Sequence, residues 1–476
     1  MAMTPQALLL DGQWAAGKGA PLVVMDKYRL APGAEVATPD AAQAKRAVDA
    51  AHAAFRRGAP GPYERGAILE RAAALLEPKA EEFVRIMQME AGFTAADAQG
   101  EVRRCVQTLK LSAEEARRLA GEVIPLAGAP QQAGRLGFTL RVPLGVVLAI
   151  TPFNSPLNTV AHKIAPAFAA GNAVILKPSS ATPLTAFKLA EVLLEAGLPA
   201  GFLSVIPGSA QVAAWLIADE RVRFFAFTGS TEVGRSIQAR AGLRRTQMEL
   251  GSIAFTILAD DANLEAALPK VVNAGYRKAG QVCTSVQLLL AHRSLAGEVE
   301  RQLAHKVRAL KHGDPRDPET FVGPLISEKE AIRVDNWIEE AVAKGAQRLA
   351  GGPRKGASIP PALLSGIDDT MKVGCQEVFG PLVCIVPFDT LDEAIARVNA
   401  TPYGLATGMF TNRLEDAFKA ARRLEVGGVH VNETSSSRVD LMPYGGSKES
   451  GFGREGPRYA VHEMTEERIV TFTLNA

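Results

Sequence analysis

Two rhythms of apolar and polar positions divide the chain. From residue 36 to 120 the spacing is helical. "DAAQAKRAVDAAHAAFRRG" and "ERGAILERAAALLEPKAEEFVRIMQMEAG" are alanine-rich and end in glycine. Past residue 143 short apolar runs take over: "LGVVLAI" (144–150), "AVILK" (173–177), "FLSVI" (202–206) and "RFFAFTGS" (223–230). Helical stretches separate them, at 156–170, 182–197 and near 209–218. In "TPLTAFKLAEVLLEAG" the pattern predicts Thr182 as N-cap, Pro183 at the first helical position and a stop at Gly197. Strand alternating with helix predicts an α/β fold, with a parallel sheet covered on both faces. Ligands of such sheets bind beyond the carboxyl ends of the strands. The loops at 151–156, 177–182, 207–209 and 228–234 should therefore surround one crevice.

A second α/β region runs from about residue 252 to 445, with "SVQLLLAH", "LVCIVPF" and "GGVHV" as candidate strands. Two pieces stand apart, "GRLGFTLRV" (134–142) and "ERIVTFTL" (467–474). They alternate apolar and polar residues, as half-buried strands do.

Composition narrows the class. The 476 residues are too many for a single core, and imply two or three domains. A net charge of +2 gives no field that would favour nucleic acid or an anionic membrane surface. The four cysteines form no C-x-x-C pair, no zinc spacing and no disulfide framework. A reducing, cytoplasmic location is expected, with no metal. The N-terminus "MAMTPQALLLDGQW" lacks the basic start of a leader, and no apolar run nears the ~20 residues of a membrane span.

Several short stretches carry candidate chemistry. "GFGREG" (451–456) fits G-x-G-x-x-G, but "PYGGSKES" precedes it and only twenty residues follow. Without a complete βαβ unit it reads as a flexible glycine-rich connection. In "FTGSTEVG", Gly229 and Ser230 open a helix after a strand. That is either a phosphate-holding N-terminus or a simple N-cap. "LKPSS" ends a strand at Lys177, either a solvent charge or a clamp for ribose or phosphate oxygens. "QMELGSIAF" sets Glu249 in an apolar run, where burial would raise its pKa toward a general-base range. A surface glutamate is the plain alternative. Cys283 in "KAGQVCTSV" is a nucleophile or a small apolar residue at a helix-to-strand turn. His162, on a helix, needs only a packing role.

The order of "TPFNSP", "GNAVILKPS", "FTGS", "ELGS", "GQVCTS", "EVFGP" and "PYGGSKESGFGREG" resembles the successive motifs of the NAD(P)-dependent aldehyde dehydrogenase superfamily. The resemblance runs from about residue 25 to the C-terminus. It implies Cys283 as nucleophile, forming a thiohemiacetal and then a thioester. It implies Asn154 and the Cys283 backbone N–H as oxyanion donors, and Glu249 as the base that activates water. For NAD or NADP it implies Lys177 on the adenosine ribose and Ser230 near the pyrophosphate. Gly229 would allow close approach, Glu377 would hold the nicotinamide ribose, and Phe379 would pack near the ring. Thr151, Pro152 and Phe153 should line the cleft, with Ser179, Ser180, Gly208, Thr228 and Leu250 completing it.

The wording comes nearest the branch that handles lactaldehyde, phosphonoacetaldehyde and non-phosphorylating glyceraldehyde-3-phosphate oxidation. A short polar or anionic aldehyde is expected. Arg104 and Arg438 are either head-group ligands or surface charges, and Val282 and Thr284 flank the nucleophile. Val282 stands where phosphate-binding relatives carry arginine, which favours a small hydroxy or weakly anionic substrate such as lactaldehyde over a phosphonate or a phosphate; a semialdehyde is a further alternative. Serines at 179 and 180, where many NAD-using relatives carry glutamate, predict tolerance of NADP. A CoA-acylating enzyme is disfavoured by Glu249, and a non-catalytic member by the full residue set. The family architecture implies a cofactor domain (1–121 and 144–251), a catalytic domain (252–443) and a bridging element (122–143 and 444–476) that forms a homodimer or homotetramer.

Overall fold

The computed structural model describes residues 7–473. Residues 1–6 of the expected leaderless start, and Leu474 of the expected last strand, lie outside the described residues. The helices of the first 120 residues are Ala41–Arg57, Pro62–Leu76, Ala80–Glu90 and Ala95–Arg118.

The fully apolar runs become sheet. Five parallel strands lie in the spatial order Leu203–Val205, Ala173–Lys177, Val146–Ile150, Val222–Thr228, Arg245–Glu249. In chain order this is 3-2-1-4-5. The direction of winding reverses between Val146–Ile150 and Val222–Thr228, which is where an open α/β sheet forms its ligand crevice. Antiparallel strands extend both edges.

A second sheet of seven strands runs Gln347–Ala350, Ala362–Ser365, Leu382–Phe388, Val286–His292, Ala254–Leu258, Ala406–Phe410, Gly428–Val431, parallel except at Gln347–Ala350. The buried apolar residues fall into two clusters, one reaching Leu250 and the other beginning at Ile253. Strand Arg245–Glu249 passes through Gly251 and Ser252 into strand Ala254–Leu258. The carboxyl edge of the first sheet therefore adjoins the amino edge of the second. A smaller antiparallel sheet pairs Thr465–Thr473 with Arg135–Pro143 over nine residues, with Val123–Ile124 beyond.

Three expectations need correction. Thr182 does not cap its helix: Leu184–Glu195 begins after Pro183, and the Thr182 hydroxyl is buried without a partner. The free amides of Leu184 and Thr185 instead donate to the buried Glu90 carboxylate, each at 2.8 Å. A carboxylate suits a helix N-terminus better than a hydroxyl because it also meets the positive end of the dipole. "GFGREG" is not a slack connection. Gly451–Phe452 pairs with Met248 and Glu249 at the edge of the first sheet. Gly451 has φ +104°, and a Cβ there would lie 1.9 Å from the Met248 carbonyl oxygen. Residues 451–464, grouped by sequence with the bridging element, also pack elsewhere: Ala460, Val461 and Met464 join the first apolar cluster.

Candidate active site

Two cavities meet at Cys283, which lines both. The larger, of about 640 Å³, opens beyond the carboxyl ends of the first sheet. Its volume lies in the range of small-molecule and cofactor sites. Thr151, Pro152, Phe153, Lys177, Ser179 and Ser180 line it from the loops after two strands. Thr228, Gly229, Ser230 and Leu250 come from the two strands beyond the switch point, and Glu377 and Phe379 face them from the second sheet. Gly208 stays off the lining; its carbonyl accepts the Ser180 hydroxyl at 2.8 Å and holds that side chain in place. Sequence reasoning missed Ala181, Val233, Gln281, Glu330 and Arg333 on this wall.

The polar groups of this cleft fit an elongated, phosphate-bearing cofactor. Lys177 is buried, has no carboxylate within ion-pair distance among the described residues, and burial lowers its pKa to about 8. The buried Thr151 hydroxyl has no partner. Ser230 caps helix Thr231–Ala241 through the Val233 amide, and so sets the positive end of that helix at the cleft. Glu377 is pushed up to about 7 by burial, while the Ser252 amide donates to it at 2.9 Å. Phe379, held at φ +51°, meets Phe153 edge to face with centroids 5.8 Å apart.

The smaller cavity, of about 270 Å³, lies behind Cys283. Asn154, Thr228, Leu250 and Cys283 belong to both walls. Charged side chains from segments far apart in sequence make up much of the rest: Arg104, Glu249, Arg277, Lys278, Arg438 and Glu455. Arg104, about one-third exposed, and Arg438, largely buried, each line the cavity and each meet a carboxylate. Arg104 pairs with Asp440 at 2.7 Å. Arg438 pairs with Glu455 at 2.8 Å and lies 3.7 Å from the Tyr444 ring centroid. Val282 and Thr284 line the same wall. His162 is buried and packs its Nε2 against Asp440 at 2.8 Å.

Glu455 also accepts from the wholly buried Lys163 at 2.9 Å. Burial opposes the Glu455 charge, but Lys163 and Arg438 hold its carboxyl well below the usual range. Glu249 is the contrasting carboxylate. It is buried at the end of strand Arg245–Glu249, and neither oxygen has a partner. Burial first, and the charge of Glu455 second, raise its pKa well above the ordinary value. An acid group kept basic and unpaired beside a thiol is suited to taking a proton from water.

Cys283 sits in the turn before strand Val286–His292. Burial pushes its thiol up to about 11, while the Tyr444 hydroxyl, 2.8 Å from Sγ, favours the thiolate. The preceding turn is tightly specified. Lys278, Ala279 and Gly280 all have positive φ, and a Cβ on Gly280 would lie 2.0 Å from the Gly380 carbonyl oxygen. Such a run costs on the order of 1–3 kcal/mol per non-glycine residue unless its surroundings enforce it. The enforcement is visible. Lys278 Nζ donates to Glu101 at 2.7 Å and to the Asn154 carbonyl at 3.0 Å, under the Phe93 ring. Glu101 also accepts from Ser155 and the Asn158 amide. One buried pair thus ties the Asn154 loop to the Cys283 loop. Burial opposes ionisation of Glu101, yet Lys278 and Arg104 bring its carboxyl down to about 2.

Arg277 was missed by sequence reasoning; its signal was only a basic pair six and five residues before the cysteine. Its recorded side-chain bond is to Ser436 Oγ at 2.7 Å, and no carboxylate lies within ion-pair distance among the described residues. Thr284 and Ser436 hydroxyls stand 3.3 Å apart beside it.

The sequence pattern of the aldehyde dehydrogenase family matches residues 14–470. A 3-sulfolactaldehyde dehydrogenase of Priestia aryabhattai is 46% identical over 468 residues, 98% of each chain. The crystal structure of aldehyde dehydrogenase 21 from Physcomitrella patens, in complex with the reaction product succinate, superposes with a TM-score of 0.97 at 38% identity, covering 99% of both chains. A glyceraldehyde-3-phosphate dehydrogenase GapN from Methanocaldococcus jannaschii, complexed with NADP, gives 0.92 at 35% identity over 96% of this chain and 100% of the other.

Proposed function

The chain belongs to the aldehyde dehydrogenase family and oxidises an aldehyde with NAD or NADP, and from that premise we propose that its substrate is a short aldehyde carrying an acidic group. The single observation behind the acidic group is Arg277, a guanidinium on the wall of the smaller cavity with one side-chain partner and donors to spare. Arginine presents a planar fork that matches carboxylate and sulfonate oxygens. Ser436 and Thr284 add hydroxyls at the same place. The aldehyde for which the sulfolactaldehyde dehydrogenase relative is named, and the succinate bound to the structural neighbour, both carry acidic groups, which supports the reading.

In this reading Cys283 attacks the carbonyl carbon. The new C–S bond forms as the π pair moves to oxygen, where the Asn154 amide and the Cys283 backbone N–H receive it. One oxyanion donor of this kind contributes about 3–4 kcal/mol. Bound NAD(P)+ would supply the hydride acceptor at this point, and the carbon held on Cys283 would then stand at the thioester level. Lys177, Ser230 and Glu377 would hold the cofactor, with Phe379 against its reactive end. Glu249 then takes a proton from water as the water oxygen bonds to the acyl carbon, the C–S bond breaks, and the acid leaves. The unpaired state of Glu249 favours hydrolysis over acyl transfer to CoA. Product analysis with and without CoA should give the same free acid.

Homodimer or homotetramer assembly would use the sheet edge Thr465–Thr473, where Ile469 and Phe472 are exposed. No helix among the described residues is long and apolar enough to cross a membrane. A cytoplasmic location agrees with four free cysteines.

The test is an NAD(P)H-release screen over 3-sulfolactaldehyde, succinic semialdehyde, lactaldehyde, phosphonoacetaldehyde and glyceraldehyde 3-phosphate. Acid-bearing three- and four-carbon aldehydes should exceed lactaldehyde in kcat/KM by about tenfold or more, a gap that Arg277→Leu removes. Equal use of lactaldehyde, unchanged by Arg277→Leu, would overturn the acidic-substrate reading.

A further inference from the structure

The buried phenol of Tyr444 has no place in the reaction just described, yet it reaches the reacting sulfur. Its oxygen lies 2.8 Å from Cys283 Sγ, and its ring is covered by the Arg438 guanidinium at 3.7 Å from the centroid. Arg438 is itself fixed by Glu455, so a displaced ring would lose its contact with a guanidinium that is held in place. Tyr444 is further tied by backbone bonds in both directions with Glu455, at 3.1 and 2.7 Å. The phenol is therefore held beside the sulfur by ties that converge on Glu455, two through the backbone and one through Arg438.

We propose that Tyr444 is a catalytic residue that donates a hydrogen bond to the Cys283 thiolate whenever the sulfur carries the negative charge. This rests on the reading of Cys283 as nucleophile. The direction of the bond follows from the chemistry of the pair. In the resting thiol either atom can donate; once the thiol proton has gone, only the phenol has a hydrogen to give. The sulfur is charged at two points of the cycle, before it attacks the carbonyl and when it is expelled from the acyl carbon. In the second, the water oxygen bonds to carbon, Glu249 takes the proton of that water, and the C–S pair departs on sulfur. Tyr444 keeps its proton throughout; the thiol proton passes to bulk water before attack, and the proton of the attacking water goes to Glu249.

The need for such a donor is set by the surroundings. Burial disfavours the thiolate, and Glu249 and Glu377 oppose its charge; Arg438 favours it from above the Tyr444 ring. Arg104, Arg277, Lys278 and Glu455 line the same cavity, and all but Arg277 are paired with an opposite charge. Tyr444 is the neutral group that contacts the sulfur directly. Burial raises its own pKa well above the usual phenol value, so it remains a donor across the working range.

The experiment is the pH dependence of Cys283 alkylation by iodoacetamide in the intact enzyme without substrate, followed by mass spectrometry of the Cys283 peptide. Tyr444→Phe removes one oxygen and leaves the ring under Arg438. It should move the alkylation midpoint up by about one pH unit, as expected for one hydrogen bond to a charged group. It should also lower kcat about tenfold with the cofactor KM unchanged. Incorporation of 3-fluorotyrosine at position 444, a stronger donor, should move the midpoint down. An unshifted midpoint, or faster alkylation in Tyr444→Phe, would overturn the proposal while leaving Cys283 as nucleophile. Full turnover in Cys283→Ala would instead remove the reading beneath it.

Discussion

The two cavities that meet at Cys283 handle their charges in opposite ways. The cofactor cleft is walled by strand-end loops, and its buried cation, Lys177, has no ion-pair partner among the described residues. The smaller cavity is walled by charges that are nearly all answered: Arg104 by Asp440, Lys278 by Glu101, and Arg438 by Glu455, which the buried Lys163 also meets from behind the wall. Two ionisable groups on that wall have no partner within ion-pair distance among the described residues: Arg277, on which Asp97 and Glu101 act only from further off, and Glu249, whose raised pKa favours its neutral form. In a buried wall an unpaired charge is costly, so one that persists points to a group that completes it during function. The pairing pattern thus separates the charges that build the cavity from those proposed to act in it.

Breaking a matched pair should have the largest effect. Lys278→Met strands the Glu101 carboxylate and releases the turn of positive φ before Cys283. A loss of about 3–5 kcal/mol in unfolding free energy is expected, read by denaturant melts. Its pH dependence has a definite sign. The folded carboxyl of Glu101 sits at about 2, below its unfolded value, so its contribution is present above that unfolded value and fades as pH falls toward 2. The variant should lose this acid-range dependence. Equal stability of wild type and variant would erase the distinction between the cavities.

Removing the unmatched cation of the cleft should behave differently. Lys177→Met is expected to leave the melt unchanged and raise the cofactor KM about tenfold. In the wild type the ammonium is charged below about pH 8 and loses its charge above it, so the cofactor KM should climb through that pH. The variant should show no such climb. The smallest effect concerns cofactor choice. The lining residues of the loop that follows Lys177, namely Ser179, Ser180 and Ala181, include no carboxylate. Values of kcat/KM for NAD and NADP are therefore expected within about tenfold of each other, since no repelling charge separates them; a much larger preference for NAD would contradict that account.

The same contrast explains what was legible in the sequence. Parallel strands such as "AVILK" stood out because strands buried on both faces leave continuous apolar runs bounded by turns. The cofactor loops followed from those strands, since each loop is local to the strand it ends; only Gly208 fell behind the wall rather than on it. The substrate cavity was illegible for the opposite reason. Its pairs join residues far apart in the chain, 336 positions from Arg104 to Asp440 and 292 from Lys163 to Glu455, and no local pattern encodes such a partner. The cap of helix Leu184–Glu195 failed in the same way, because Glu90 reaches it from another helix. The amino-edge position of Cys283 was legible, because "KAGQVCTSV" reads as a helix-to-strand turn leading into "SVQLLLAH". Ligands of the first sheet gather at its carboxyl ends, whereas the second sheet contributes Cys283, Glu377 and Phe379 from turns that precede its strands.

The central claim, that the sulfur between the two cavities holds the substrate carbon covalently until Glu249 admits water, has a direct measurement. Glu249→Gln, mixed with aldehyde and NAD(P)+ and quenched, should release one equivalent of NAD(P)H per active site in a burst. Mass spectrometry should then find the acyl group on the Cys283 peptide. Sustained turnover at the wild-type rate, or a burst with no adduct on Cys283, would contradict the account.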